Sequence, residues 1–119
     1  MSCPAVAGTF AQLIQAYREL NSGEDPAAGF MKAIVLNTAE DLGNPGPDFK
    51  FGWGRINGLS AVKVIEEARY DSGTLDQGDL NSLLIDVPSG LKQIRVMVYW
   101  TDPEATLNSN WTLVNNLDL

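Results

Sequence analysis

The chain opens with Met1-Ser2-Cys3-Pro4-Ala5-Val6-Ala7-Gly8, the stretch that decides how the N-terminal half folds. Pro4 is compatible with a helix only in its first turn, where a backbone N–H would have no intrahelical partner. Small residues follow Pro4, and a helix with so thin a surface can pack closely against neighbours on every side. Cys3 suits the role of a small buried apolar side chain. The stretch therefore predicts a tightly packed helix that begins near Pro4.

Apolar side chains then recur at spacings of three and four as far as Leu20, which is the pattern of an amphipathic helix. They are Val6, Phe10, Leu13, Ile14, Tyr17 and Leu20. Asn21-Ser22-Gly23 ends this helix. Asp25-Pro26 has the form of an N-cap followed by proline at the first helical position, so a second helix is expected through about Ala39. The short connection predicts a helix hairpin.

A loop rich in glycine, proline and aspartate, residues 41–48, separates the hairpin from Phe49-Lys50-Phe51-Gly52-Trp53-Gly54-Arg55-Ile56-Asn57. Taken alone, the two glycines around Trp53 predict only a turn with positive φ. Asn57 is placed to cap a third helix, whose apolar face runs to about Ala68.

Together these segments resemble the subtilisin-like serine peptidases, or subtilases. The opening stretch is similar to the end of the motif Gly-Thr-Ser-Met-[Ala/Ser]-x-Pro-x-Val-Ala-Gly, and residues 52–57 are similar to Gly-x-Gly-x-[Ile/Val/Leu]-[Asn/Asp]. The resemblance spans residues 1 to about 69 and implies the C-terminal part of a subtilisin-like α/β catalytic domain.

The resemblance places the catalytic serine immediately before Met1, so no catalytic residue is expected in this chain. The matching flank of the nucleophile motif consists of Met1, Ser2, Pro4 and Gly8. Ser2 occupies the small-residue position after the methionine and is assigned no catalytic role. A serine at a helix N-terminus lies near free backbone N–H groups and the positive end of the macrodipole, which favours a developing oxyanion.

Beyond Arg69 the pattern changes. Residues 70–81 are polar and are interpreted as a linker, whereas Leu83–Val87, Gln93–Trp100 and Trp111–Leu119 are predicted to be strands. Residues 96–103 and 113–119 resemble the β-sandwich (jelly-roll) domain that follows the catalytic domain in one branch of large subtilases. The expected fold is an α+β fragment: three helices in residues 1–69, then antiparallel strands of an incomplete β-sandwich in residues 82–119.

Composition excludes several function classes. The net charge of −7, from 15 acidic and 8 basic residues, argues against nucleic acid or an anionic membrane as a partner. Histidine is absent, so the chain cannot supply the base of a Ser-His-Asp triad or a Cys-His dyad. Cys3 is the only cysteine, which excludes an internal disulfide.

Acidic residues raise the question of calcium, which prefers several oxygen ligands. Asp71, Asp76 and Asp79 do not follow the spacing of an EF-hand loop, and solvated loop carboxylates explain them better. For Asp102 and Asp118 turn and strand-end roles are favoured. The resemblance allows calcium in the longer protein, but Asn116 stands where the family has aspartate. No metal or other cofactor is therefore expected in this chain.

The expected function is that of a fragment of a subtilisin-like serine endopeptidase, with protein or peptide substrates and, by resemblance, a secreted parent. The alternative is a non-catalytic binding or assembly module. The sequence starts inside a motif and stops inside a predicted strand, which favours the fragment. The isolated chain is expected to be inactive and, because its apolar helix face and open strand edges would lack partners, to self-associate.

Overall fold

The computed structural model describes residues 1–119 and contains three helices: α1 (Ser2–Leu20), α2 (Ala28–Asn37) and α3 (Gly58–Glu66). Helix α1 has Pro4 in its first turn, as predicted, and begins two residues earlier than the proline. It ends at Asn21, whose backbone N–H donates to the carbonyl of Tyr17 at 2.9 Å. None of the three helices combines the length and the apolar character needed to cross a membrane.

Helix α2 begins later than the sequence predicted. Its N-cap is Ala27 rather than Asp25, and no side chain caps it. The carboxylate of Asp25 accepts a hydrogen bond from Nε of Arg18 at 2.6 Å, so it ties the turn of the hairpin to α1. The predicted N-cap was wrong because the side chain that resembled a cap is engaged with the preceding helix.

The third helix begins where the sequence predicted. Asn57 is its N-cap, with φ −123° and ψ 90°, and its side chain accepts a hydrogen bond from the backbone N–H of Ser60 at 2.9 Å. This bond satisfies one of the N–H groups that the first turn of a helix leaves without a partner.

The core lies between the three helices. Five side chains form it: Leu13, Met31, Ile34, Ala61 and Ile65. Around them, the ring of Phe30 lies 5.5 Å from that of Tyr17 and 4.3 Å from that of Tyr70. Tyr70, four residues after the end of α3, therefore packs on the helix hairpin. Full burial of a leucine or isoleucine is worth about 1.5–3 kcal/mol, so these side chains stabilise the packing of the three helices.

The predicted strands are absent, and the expectation of an α+β fragment with the start of a β-sandwich was wrong. The structure contains no sheet, and its only bridges, Glu40 with Arg55 and Asp48 with Gly52, lie in the N-terminal half. In residues 93–100 the even-numbered and the odd-numbered side chains would face opposite sides of a strand, but neither set is buried. Val96, from the first set, is 52% exposed, and Tyr99, from the second, is 38% exposed. A strand requires a neighbour for its backbone groups, and no ladder forms here. The division at residue 69 and the linker over residues 70–81 stay predictions.

Candidate functional site

The residues of the nucleophile-motif flank lie in the first two turns of α1. Met1 is the N-cap, its side chain makes no capping hydrogen bond, and no acidic residue lies in the first turn. Met1, Ser2, Pro4 and Gly8 are all exposed. The first backbone N–H groups of a helix have no intrahelical acceptor, so this end of α1 offers hydrogen-bond donors and the positive end of a helix dipole.

This end of α1 carries no side chain that can act as a general base. Ser2 has no basic side chain to take its proton, because the chain contains no histidine and the only basic residue of α1 is Arg18, near the opposite end. The start of α1 can therefore stabilise negative charge, but it offers no side chain to take a proton from Ser2.

The small residues of α1 are exposed. A Cβ added to Gly8 would meet nothing within 4 Å, and Ala5, Ala7 and Ala11 are open to solvent. Cys3 is exposed as well, so its predicted role as a buried filler was wrong. The prediction that this part of α1 packs closely on every side is not met within these 119 residues, because the core contacts of α1 lie further along, at Leu13.

Helix α3 supports α1 at one close contact. A Cβ on Gly58 would lie 3.2 Å from Cγ2 of Thr9, so a side chain larger than hydrogen at the start of α3 would press on α1. Thr9 itself is fixed by a hydrogen bond from its hydroxyl to the carbonyl of Ala5 at 3.0 Å. The start of α3 thus lies two turns from the N-terminus of α1.

Three side chains link the end of α2 to the start of α3. The carboxylate of Glu40 accepts from Nη2 of Arg55, from Nε of Arg55 at 3.0 Å and, through its other oxygen, from Nδ2 of Asn57 at 2.9 Å. The hydrogen bond and the charge of Arg55 lower the pKa of Glu40, so the carboxylate stays ionised at neutral pH. We call Glu40, Arg55 and Asn57 the Glu40 cluster. Sequence reasoning missed this cluster, because its only signal in the sequence is a pair of opposite charges, Glu40 and Arg55, on either side of the glycine-rich loop.

The glycine segment is shaped by the same junction. Glu40 and Arg55 exchange backbone hydrogen bonds of 2.8 Å in both directions, and Gly54, at φ 101°, lies against them. A Cβ on Gly54 would come within 2.0 Å of the carbonyl oxygen of Glu40. Gly54 is therefore required by both its conformation and its surroundings, whereas Gly52, at φ 59°, has open space around it.

Asp48 organises the loop between α2 and the glycine segment. Its carboxylate accepts from the backbone N–H groups of Phe51 at 2.6 Å, Lys50 at 2.8 Å and Asn44 at 3.4 Å. The bond from Phe51 is the largest cause of the lowered pKa of Asp48. Trp53 is 50% exposed beside this loop.

The other acidic residues singled out by sequence have local roles. Asp71 accepts from the N–H of Ser72, and Asp79 from that of Asp76. Asp102 accepts from the N–H groups of Val114 at 2.7 Å and Asn115 at 2.9 Å, which lowers its pKa and closes a loop. No group of three or more metal-ligating side chains comes together in the structure.

Comparison with known proteins identifies the N-terminal part of the chain. Residues 1–54, which contain α1, α2 and the glycine segment up to Gly54, match the subtilase family. These residues belong to the subtilase family. The match includes the flank Met1 to Gly8 and ends within the junction held by the Glu40 cluster.

Curated relatives carry names of the same kind. The chain is 33% identical to the serine protease/ABC transporter B family protein tagA of Dictyostelium discoideum, over 97% of this chain and 8% of that protein. It is 36% identical to the extracellular serine protease of Serratia marcescens, over 52% of the chain and 5% of that protein. The Neisserial autotransporter lipoprotein NalP of Neisseria meningitidis serogroup B is also 36% identical, over 51% of the chain and 5% of its own length. No solved structure matches the chain significantly.

Proposed function

We propose that the chain is the part of a subtilisin-like serine endopeptidase that directly follows the nucleophile serine. The observation that carries the proposal is the position of the motif flank: Met1 to Gly8 form the exposed, uncapped start of α1 inside the subtilase match. The free N–H groups and the positive dipole end of α1 lie where a residue before Met1 would be placed. The chain spans only 8% or less of the curated relatives named above, which supports its being one part of a longer enzyme.

In the proposed reaction the serine before Met1 attacks a peptide carbonyl. A histidine elsewhere in the longer protein takes the serine proton and returns it to the leaving amine, while an aspartate orients that histidine. Within this chain, Met1 borders the scissile bond and the start of α1 stabilises developing negative charge. Helix α3, capped by Asn57, supports α1 through the close contact between Gly58 and Thr9.

The proposed substrates are proteins or peptides, and the longer protein is proposed to be secreted. One relative is named an extracellular protease and another an autotransporter lipoprotein, which supports export. No metal or cofactor enters the proposal.

The proposal is tested on the chain itself and on the sequence that encodes it. We expect the isolated chain to hydrolyse no casein and to take up no fluorophosphonate probe, because it lacks a histidine. We expect Gly-Thr-Ser to precede Met1 in the coding sequence of the longer protein. Stoichiometric labelling of Ser2, or any other tripeptide before Met1, would contradict the proposal.

The second candidate function is a non-catalytic binding or assembly module. Large apolar side chains of the C-terminal half favour it, since Leu84 is 92% exposed, Leu107 96% and Trp111 81%. Such side chains are covered most simply by a second copy of the chain, so we expect a dimer or larger oligomer. Sedimentation equilibrium over a wide concentration range tests this, and a folded monomer at every concentration would exclude self-association.

A further inference from the structure

The C-terminal end of α2 is the place where residues beyond Tyr70 are hydrogen-bonded to the helical half. Nη1 of Arg95 donates to the carbonyl of Ala39 at 2.8 Å and makes a longer contact of 3.5 Å with that of Asn37. Tyr70 packs on Tyr17 and Phe30, and beyond it no other hydrogen bond or ion pair joins residues 71–119 to residues 1–69. One guanidinium therefore supplies every hydrogen bond between residues 71–119 and the helical half.

The C-terminal end of α2 has no cation of its own to interact with its last carbonyl groups. Its last turn contains no basic residue, although the final carbonyls of a helix lack intrahelical donors and form the negative end of the dipole. A guanidinium offers several N–H donors in one plane, which suits two neighbouring carbonyl oxygens. Ala39 is 5% exposed, so the stronger of the two bonds reaches a sheltered part of the junction.

Tyr99 extends the same attachment along α2. Its ring lies close to Gly29, where an added Cβ would come within 3.2 Å of two ring carbons, and Nζ of Lys32 lies 5.1 Å from the ring centroid. The latter distance is within the range of a cation–π contact. The residue at position 29 must be small for the ring to lie there.

We propose that the outer face and C-terminal end of α2 form a docking surface for residues 95–99 of the same chain, and that Arg95 determines whether the C-terminal half stays attached. We call this contact the Arg95 clasp, consisting of Arg95 and Tyr99 on one side and Gly29, Lys32 and the carbonyls of Asn37 and Ala39 on the other. This contact does not depend on the proposed peptidase function, because it involves only residues of this chain.

The clasp is tested by NMR on the full chain. In the unmodified protein we expect a nuclear Overhauser effect between the Tyr99 ring and the α protons of Gly29, and it should vanish in Arg95→Ala. The effect between the rings of Tyr17 and Phe30 should persist, which shows that the helices remain packed. Lys92→Ala is the matched control, since it removes the same charge three residues away without removing a contact.

Limited proteolysis gives a second measurement. Cleavage by chymotrypsin after Tyr99 should be roughly tenfold faster in Arg95→Ala than in Lys92→Ala. The reason is that the hydrogen bond from Arg95 to Ala39 keeps the segment around Tyr99 against α2, where the protease cannot bind it. If Arg95→Ala also lost the contact between Tyr17 and Phe30, Arg95→Lys would decide, since it keeps the charge and loses the planar donors. An undiminished contact between Tyr99 and Gly29 in the folded variant, or its absence from the unmodified protein, would overturn the proposal.

Discussion

The two halves of this chain each carry a regular apolar pattern, helical in the first and alternating in the second, but only the first half forms regular structure. Residues 1–69 contain all three helices and all six buried residues, whereas residues 70–119 contain no regular element and no buried residue. The difference follows from where each kind of element finds its hydrogen bonds. A helix satisfies most of its backbone groups within itself, and three helices here are enough to enclose Leu13. A strand depends on a neighbouring strand, and an alternating pattern alone does not provide one.

The comparison predicts that changes at the junction of the helical half have the largest effect on stability. Gly54→Ala would place a Cβ within 2.0 Å of the Glu40 carbonyl at a φ of 101°, and we expect a loss of about 3–5 kcal/mol in the free energy of unfolding. Urea denaturation followed by circular dichroism at 222 nm measures it.

Gly52→Ala is the control for Gly54→Ala. Its φ is also positive, at 59°, but an added Cβ has nothing within 4 Å, so the expected loss is only about 1–2 kcal/mol. Equal losses in the two variants would mean that conformation alone, rather than the approach to Glu40, makes Gly54 necessary.

The second prediction compares equivalent side chains in the two halves. Leu13 is 2% exposed and Leu84 is 92% exposed. Leu13→Ala should cost about 2–3 kcal/mol, toward the lower end of the range for buried leucines because the core is small. Leu84→Ala should change the unfolding free energy by less than about 0.5 kcal/mol. A cost at Leu84 similar to that at Leu13 would show that the C-terminal half has a core of its own.

The sequence predicted what depends on local contacts and missed what depends on distant ones. The spacing of Phe10, Leu13 and Tyr17 predicted α1, and Asn57 was correctly identified as the cap of α3. The start of α2 was misplaced because Asp25 pairs with Arg18, a contact that no local pattern reveals. The predicted strands of residues 82–119 were wrong because an alternating pattern does not by itself supply the neighbouring strand that a sheet requires.

The candidate site divides in the same way. Pro4 lies in the first turn of α1, as its chemistry required, and the motif flank predicted membership of the subtilase family. The exposure of Cys3 and Gly8 was not foreseen, because the sequence shows that a surface is thin but not whether anything covers it. The Glu40 cluster joins residues up to 17 positions apart and could be recognised only in three dimensions.

A third prediction concerns the cap that connects the Glu40 cluster to α3. Asn57→Ala removes the acceptor for the Ser60 N–H and the donor to Glu40, and should cost about 1 kcal/mol. Asn57→Ser keeps an acceptor for the Ser60 N–H and loses the amide N–H group that donates to Glu40, so it should cost less. Thermal unfolding of both variants checks this order. If the serine variant were as unstable as the alanine variant, the bond to Glu40 would matter more than the cap.

The smallest expected effect is in the acid dependence of the two halves. The hydrogen bond and charge of Arg55 lower the pKa of Glu40, and the backbone N–H groups of Val114 and Asn115 lower that of Asp102. A carboxyl whose native pKa lies below its unfolded value stabilises the fold fully above the unfolded value, about 4.3 for Glu and 3.9 for Asp. That contribution is lost as the pH falls through the lower native value.

The two carboxyls should therefore be distinguishable by what they stabilise. Glu40→Gln should make the helix signal at 222 nm less dependent on pH below about 4, since Glu40 joins α2 to α3. Asp102→Asn should leave that dependence unchanged and instead alter the indole signal of Trp111, which lies in the loop that Asp102 closes. The two variants are matched, because each replaces a carboxylate by an amide of the same shape. If Asp102→Asn changed the acid unfolding of the helices as much as Glu40→Gln, the halves would unfold together, and the Arg95 clasp would couple them more tightly than its single guanidinium implies.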